Sequence, residues 1–96
     1  MNIVINQIEL SDYAPDANSH KILSLLEPQK HVSGFTLFPE LCLTGFPTAD
    51  NLHTLWQASE AGFARILEYS RRCAATVVLG HIEHCDGRFY NSCFYL

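Results

Sequence analysis

A chain of 96 residues makes one small domain at most, able to bury about two thirds or less of the surface its unfolded form exposes. Hydrophobic residues make up 48% and charged residues only 17%, a balance that supports a packed core and argues against intrinsic disorder. The net charge is -4, and the six basic residues, Lys21, Lys30, Arg65, Arg71, Arg72 and Arg88, form no stripe for phosphates, which argues against a nucleic-acid partner.

Ile3 and Ile5 alternate with Val4 and Asn6, predicting a first strand over residues 2–8 that opens almost at Met1, as at a natural amino terminus. Ser11, Asp12 and Pro15 then mark a helix start. Asp16 suits the positive end of the helix dipole, and Ile22, Leu25 and Leu26 form one apolar stripe before Pro28, so the first helix is expected over 15–27. Gly34 opens a second strand, Phe35 to Glu40, with Phe38 and Glu40 on one face. After a loop containing Gly45 and Pro47, Asp50 is expected to cap a second helix. Its Leu52, Leu55, Trp56, Ser59, Phe63, Ile66, Leu67 and Ala74 keep a helical period for about six turns. Trp56 and Phe63 on that helix could stack a ligand, but an aromatic stripe at helical spacing reads as core. Thr76 to Gly80 is a nearly continuous apolar run suited to a strand covered on both faces. Asp86-Gly87 then predicts a type I′ hairpin joining His81–Cys85 to Arg88–Leu96. Strands alternating with helices in this order indicate a layered α/β domain.

No apolar run approaches the length of a membrane span, and the first residues lack the pattern of a signal peptide, so the chain reads as cytoplasmic with no membrane partner. Cys42, Cys73, Cys85 and Cys93 show no CxxC spacing and sit in apolar or strand-like segments, so buried free thiols are expected rather than a disulfide framework. His81, His84 and Cys85 are zinc-ligating types. In a strand, however, His84 points away from the other two, so no metal site is expected there.

The segment Phe38-Pro39-Glu40-Leu41-Cys42-Leu43-Thr44-Gly45-Phe46-Pro47 sets one carboxylate among apolar residues. A buried carboxylate must find hydrogen-bond partners, shift its pKa or line a cavity, and each outcome suits a general base. Equally, a Glu at a strand end can simply turn outward, with Pro39 and Gly45 as ordinary punctuation. Its expected place at the carboxyl end of a strand is the edge where ligands bind in open α/β sheets.

Phe-Pro-Glu-Leu-x-Leu-Thr-Gly-Phe-Pro resembles the segment carrying the first catalytic residue of the carbon–nitrogen hydrolase (nitrilase and amidase) superfamily, with Glu40 on the family's general base. The resemblance extends to the Asn18-x-x-Lys21-Ile22 helix and to Asp86-Gly87-Arg88-Phe89-Tyr90-Asn91-Ser92. It implies the amino-terminal portion of an α-β-β-α sandwich, with residues 1–96 as a partial domain. Among subfamilies, the motifs are most similar to the glutaminase domain of glutamine-dependent NAD synthetases. The implied activity is hydrolysis of an amide through a Glu-Lys-Cys triad without a cofactor. A small amide, glutamine among the options, is the implied partner, and the complete family enzymes are implied to be homo-oligomers.

Only the Glu of that triad lies within these residues; neither Lys21 nor Lys30 falls in the family's lysine motif, and the resemblance places the Lys and Cys motifs beyond residue 96. The 96 residues alone are therefore expected to be inactive. Cys42, two positions after Glu40, would share its face if the strand continued, which leaves a Glu40–Cys42 dyad as an alternative to a small buried thiol. Phe46 is a candidate wall of the substrate pocket, and packing is its other reading. The alternative to a hydrolase is a non-catalytic remnant or interaction module. Its aromatic last strand, with an uncovered edge and face, would add to another chain, and Phe94→Lys would then favour the monomer if Phe94 faces outward.

Overall fold

The computed structural model describes residues 1–96. A four-stranded sheet in spatial order β1-β2-β3-β4 is built from β1 (Asn2–Ile5), β2 (Gly34–Leu37), β3 (Ala75–Cys85) and β4 (Arg88–Tyr95). The first three strands are parallel, and β4 returns antiparallel to β3. Helices α1 (Pro15–Leu26) and α2 (Leu52–Ser70) form the two crossovers that parallel pairing requires. The expected layered α/β architecture is what the chain adopts.

Both helices cover one face of the sheet. Ile22 and Leu26 of α1, Ile66 of α2 and Val77 and Leu79 of β3 close on Phe38, Cys42 and Leu43 in one core cluster. The strand register puts Val4, Thr36 and Val77 in one row on this face, with Leu79 and Phe94 in the next. The alternate rows lie on the opposite face: Ile3 with Phe35, then Ile5 with Leu37, Val78 and Tyr95. No helix covers that side, and Ile3, Ile5 and Tyr95 are 62%, 69% and 72% exposed.

Several boundaries differ from the expected ones for local reasons. β1 stops at Ile5 because the Asn6 side chain turns to Thr36 Oγ1 and the Leu37 carbonyl, each at 2.8 Å. Pro15 does open α1, but Ala14 precedes it and no side chain caps it. Asp50 does not cap α2 either: Asn51 holds that position, and its Oδ1 accepts from the Thr48 N–H at 2.7 Å instead. The helix ends at Ser70, before Ala74, whose N–H is drawn to the Lys30 carbonyl at 2.8 Å. The apolar run and the first hairpin strand merge into one strand, Ala75–Cys85. The turn between β3 and β4 has both Asp86 and Gly87 at positive φ, as a type I′ hairpin demands.

Phe63 packs against the core as expected, stacked on His81 at 4.6 Å between ring centroids. Trp56 is half-buried outside the central cluster and braces the hairpin end, its ring edge-on to His84 at 4.4 Å. Phe94 faces the helices, 5.1 Å from Phe63, so it is not the outward residue of β4; Tyr95 is. The expectation of buried thiols holds for Cys42 alone: Cys73 is half-buried, Cys85 is exposed at the hairpin end, and Cys93 is exposed on the sheet face opposite the helices. No helix is long and apolar enough to cross a membrane.

Candidate functional site

β2 ends at Leu37, three residues before Glu40, yet the chain stays attached to β3. The Phe38 N–H donates to the Val78 carbonyl at 2.8 Å. Gly80 then bonds twice: its N–H donates to the Pro39 carbonyl at 3.2 Å, and its carbonyl accepts from the Cys42 N–H at 3.1 Å. One residue of β3 thus holds both sides of Glu40 and Leu41, which protrude between the two bonds. Closing this short loop forces Leu41 into the left-handed region, with φ 46°. Such a conformation costs an L-residue about 1–3 kcal/mol and persists only where surrounding bonds impose it.

Gly80 is required by this approach. A β-carbon there would lie 2.6 Å from the Glu40 Cα and 2.7 Å from the Leu41 N, inside the contact distance of rigid backbone atoms. The reversal at Leu41 sends Leu41, Cys42 and Leu43 inward and leaves Glu40 exposed. Glu40 is therefore not the buried carboxylate suggested by its apolar neighbours: the turn, rather than strand alternation, decides which way it points. Its Oε2 accepts a hydrogen bond from Asn91 Nδ2 on β4 at 2.6 Å.

A cavity of about 320 Å³ opens beside this carboxylate, lined by Phe38, Glu40, Gly80, Asn91, Ser92 and Cys93. Asn91 is also a wall of an apolar groove of about 250 Å³, formed by Leu41, Phe46, Pro47, Leu52, Ile82, Phe89 and Tyr90. Phe46 lies in that groove, 63% exposed, so it lines a hollow next to Glu40 and does not pack in the core. A larger hollow of about 580 Å³ sits at the carboxyl ends of β1 and β2, among Ile5, Asn6, Gln7, Ile8, Glu9, Leu37, Phe38 and Pro39. It lacks Glu40, and the smaller cavity is the one that holds this carboxylate in its wall.

The loop behind the protrusion is pinned by α1. Asn18, 2% exposed, donates to the Leu43 and Ser11 carbonyls at 2.8 Å and accepts from the Ser11 N–H at 3.0 Å. Tyr13 adds a bond from its N–H to the Thr44 carbonyl at 3.0 Å and one from its hydroxyl to the Phe46 carbonyl at 3.1 Å. A side chain that satisfies three backbone groups in the interior holds two loops in one relative position.

Cys42 does not join Glu40. It is fully buried, its Sγ lies 3.5 Å from the Gly80 carbonyl, and burial pushes its thiol up to about 12, so it carries no thiolate near neutral pH. The strand does not continue through Glu40, which removes the shared face on which the dyad depended. His81 and His84 also part company: His81 stacks on Phe63 and His84 on Phe89 at 4.3 Å, and no three His, Cys, Asp or Glu side chains come together as a metal cluster. Burial lowers the His81 pKa to about 4 and leaves its Nδ1 without a partner. Asn91 and Gly80 are the site residues that the sequence did not single out. Asn91 lies in the Asp86–Ser92 motif and Gly80 ends the apolar run from Thr76, but neither position signals its role, which depends on contacts across the sheet.

No family model matches the chain. It is 27% identical over 95 residues to the glutamine-dependent NAD(+) synthetase of Aquifex aeolicus, an alignment covering 96% of this chain and 16% of that protein. Among solved structures, XC1258 from Xanthomonas campestris, a CN-hydrolase superfamily protein, superposes with a TM-score of 0.82 at 19% identity, over 97% of this chain and 35% of that one. The glutamine-dependent NAD(+) synthetase from Cytophaga hutchinsonii superposes at 0.74 with 26% identity, over 98% of this chain and 16% of that one. Its counterpart from Acinetobacter baumannii does so at 0.72 with 22% identity, over 98% and 18%. The chain thus spans about a sixth of the synthetases and about a third of the Xanthomonas protein. Its sheet and two helices are a partial CN-hydrolase fold, and its sequence is similar to the amino-terminal part of glutamine-dependent NAD(+) synthetases.

Proposed function

We propose that Glu40 is the proton-transferring carboxylate of a carbon–nitrogen hydrolase site and that these residues form one corner of it. The observation that carries the reading is the pair of hydrogen bonds from Gly80 around Glu40 and Leu41, which presents a carboxylate to a cavity at the carboxyl edge of the sheet. The strain at Leu41 lies at the same place, where strained backbone tends to mark a site.

In this reading, a thiol nucleophile attacks the carbonyl carbon of an amide and forms a thioester. Glu40 takes the thiol proton, gives it to the departing nitrogen, and then draws a proton from the hydrolytic water. A cationic side chain stabilises the oxyanion. The chemistry calls for a second chain segment to supply thiol and cation: Cys42 is sealed in the core, and Lys21 lies on α1 with its ammonium on the Glu9 carbonyl. The relation to glutamine-dependent NAD(+) synthetases favours glutamine as the amide, its released ammonia feeding a synthetase reaction.

A chimaera tests the proposal. Residues 1–96 replace the matching part of the Aquifex aeolicus synthetase, and ammonia release from glutamine is followed. Glu40→Gln keeps the shape of the side chain and removes its basicity, so turnover should fall by about 10²–10⁴ with the circular dichroism spectrum unchanged. A chimaera that works equally well after Glu40→Gln would show that the base lies elsewhere.

A second reading, an interaction module, draws on the uncovered sheet face with Ile3, Ile5 and Tyr95. It expects a stable complex with a second β-sheet and no dependence of any amide hydrolysis on Glu40.

A further inference from the structure

We propose that Asn91 is a positioning residue for Glu40, which fixes one carboxylate oxygen and leaves the other to take the proton. This inference rests on the reading of Glu40 as the proton-transferring group. The contact joins residues 51 apart in sequence, from the protrusion after β2 to the middle of β4, at 2.6 Å. It follows from the register of the hairpin. Asn91 pairs with Ile82 and Cys93 with Gly80, so Asn91 stands on the same sheet face as the Gly80 position over which Glu40 passes.

The chemistry of the pair explains why an amide suits this position. Glu40 sits exposed on a turn, where a free Glu side chain samples many rotamers, and ordering it costs conformational entropy. A donor from a rigid antiparallel strand selects the rotamers that reach it, and an N–H to a carboxylate is stronger than a neutral pair. A Lys in place of Asn91 would add a charge that competes for the carboxylate. The Asn amide neither titrates near neutral pH nor gives up its proton, so it orients Oε2 without removing the basicity of the group. Asn91 also stands between the Glu40 cavity and the apolar groove, so it fixes the carboxylate relative to both.

Because the pair is exposed, its loss should change orientation much more than stability, and the two separate in experiment. Nuclear magnetic resonance on the 96-residue chain provides the readouts: the exchange of the Asn91 side-chain amide protons, and the side-chain coupling constants that report the Glu40 rotamer. In the wild-type chain one Asn91 amide proton should be protected, and that protection should be lost in Glu40→Ala. In Asn91→Leu the Glu40 couplings should collapse to rotamer-averaged values while the melting temperature stays within a few degrees. Asn91→Asp, which keeps the shape and replaces the donor by an acceptor, should average them likewise. Unprotected amide protons in the wild type, or Glu40 couplings unchanged in both variants, would overturn the role of Asn91 whatever Glu40 does in turnover. Averaged couplings in the variants alongside full activity of Glu40→Gln in the chimaera would instead leave the contact standing and remove the catalytic reading beneath it.

Discussion

Replacing Gly80 by Ala adds one methyl group where the structure has no room for it. The new β-carbon would stand 2.6 Å from the Glu40 Cα, 2.7 Å from the Leu41 N and 3.1 Å from the Glu40 carbonyl carbon. All three are backbone atoms, so no side chain can rotate away, and either the protrusion lifts off β3 or the strand bends. Lifting it breaks at least one of the two hydrogen bonds that Gly80 makes to Pro39 and Cys42, and it draws the Glu40 carboxylate away from Asn91. Overpacking of this kind costs about 1–3 kcal/mol. For a domain of this size, about 1 kcal/mol lowers the melting temperature by about 4–8 °C, so Gly80→Ala should melt about 4–24 °C below the wild type. Thermal unfolding followed by circular dichroism measures this directly, and the chimaera reports the accompanying loss of ammonia release. Gly87→Ala provides the contrast: nothing lies within 4 Å of its would-be β-carbon, and the only cost is a positive φ of 75°. If Gly80→Ala melted with the wild type and kept the Asn91 amide protected, the idea that Gly80 seats Glu40 by close approach would be refuted.

Burial and exposure set the outcome at three further positions. The His81 imidazole is neutral in the fold, its pKa lowered to about 4 by burial from a value of 6.5 when exposed, with Glu60, Glu83 and His84 lining the hollow beside it. The unfolded chain therefore binds a proton first as pH falls: the contribution is whole above pH 6.5 and is lost progressively down to pH 4, on the order of 3 kcal/mol. His81→Phe keeps the ring stacked on Phe63 and should flatten the melting temperature between pH 7 and pH 4.5, whereas an equally steep profile in that variant would assign the dependence to other groups. On β4, Tyr95→Lys should raise the monomeric fraction in sedimentation by charging the open sheet face. Phe94→Lys should lower stability by about 3 kcal/mol or more because Phe94 packs against Phe63, and the reverse ranking would mean that the faces of β4 are misassigned.

Much of the fold was legible from local signals. The β-branched alternation of β1, the Pro15 start and Pro28 stop around α1, the apolar period of α2 and the Asp86-Gly87 turn each act within a few residues, and each appears in the structure near its expected place. The ends of elements and the direction of single side chains are set by contacts outside such short windows. Asp50 looked like a cap, but the Asn51 side chain serves Thr48, and a difference of one residue in a helix start changes which group can reach the orphan amides. Trp56 and Phe63 have the same helical spacing, yet only Phe63 reaches the core, because the far end of β3 extends beyond the cluster and takes Trp56 with it.

The amino-acid sequence by itself determined the α/β class, the order of the elements, and the segment around Glu40 as the place to look, because periodicity, turn chemistry and a short motif are all carried by neighbouring residues. Tertiary structure alone decided that Glu40 is exposed, that Cys42 is sealed away from it, and that Asn91 is its partner. Those outcomes depend on where Gly80 of β3 bonds to residues 39 and 42 and on which row of the hairpin faces the protrusion. Such contacts join positions some 40 to 50 residues apart, and no pattern within a short window encodes the direction in which a strained turn at Leu41 points the residue before it.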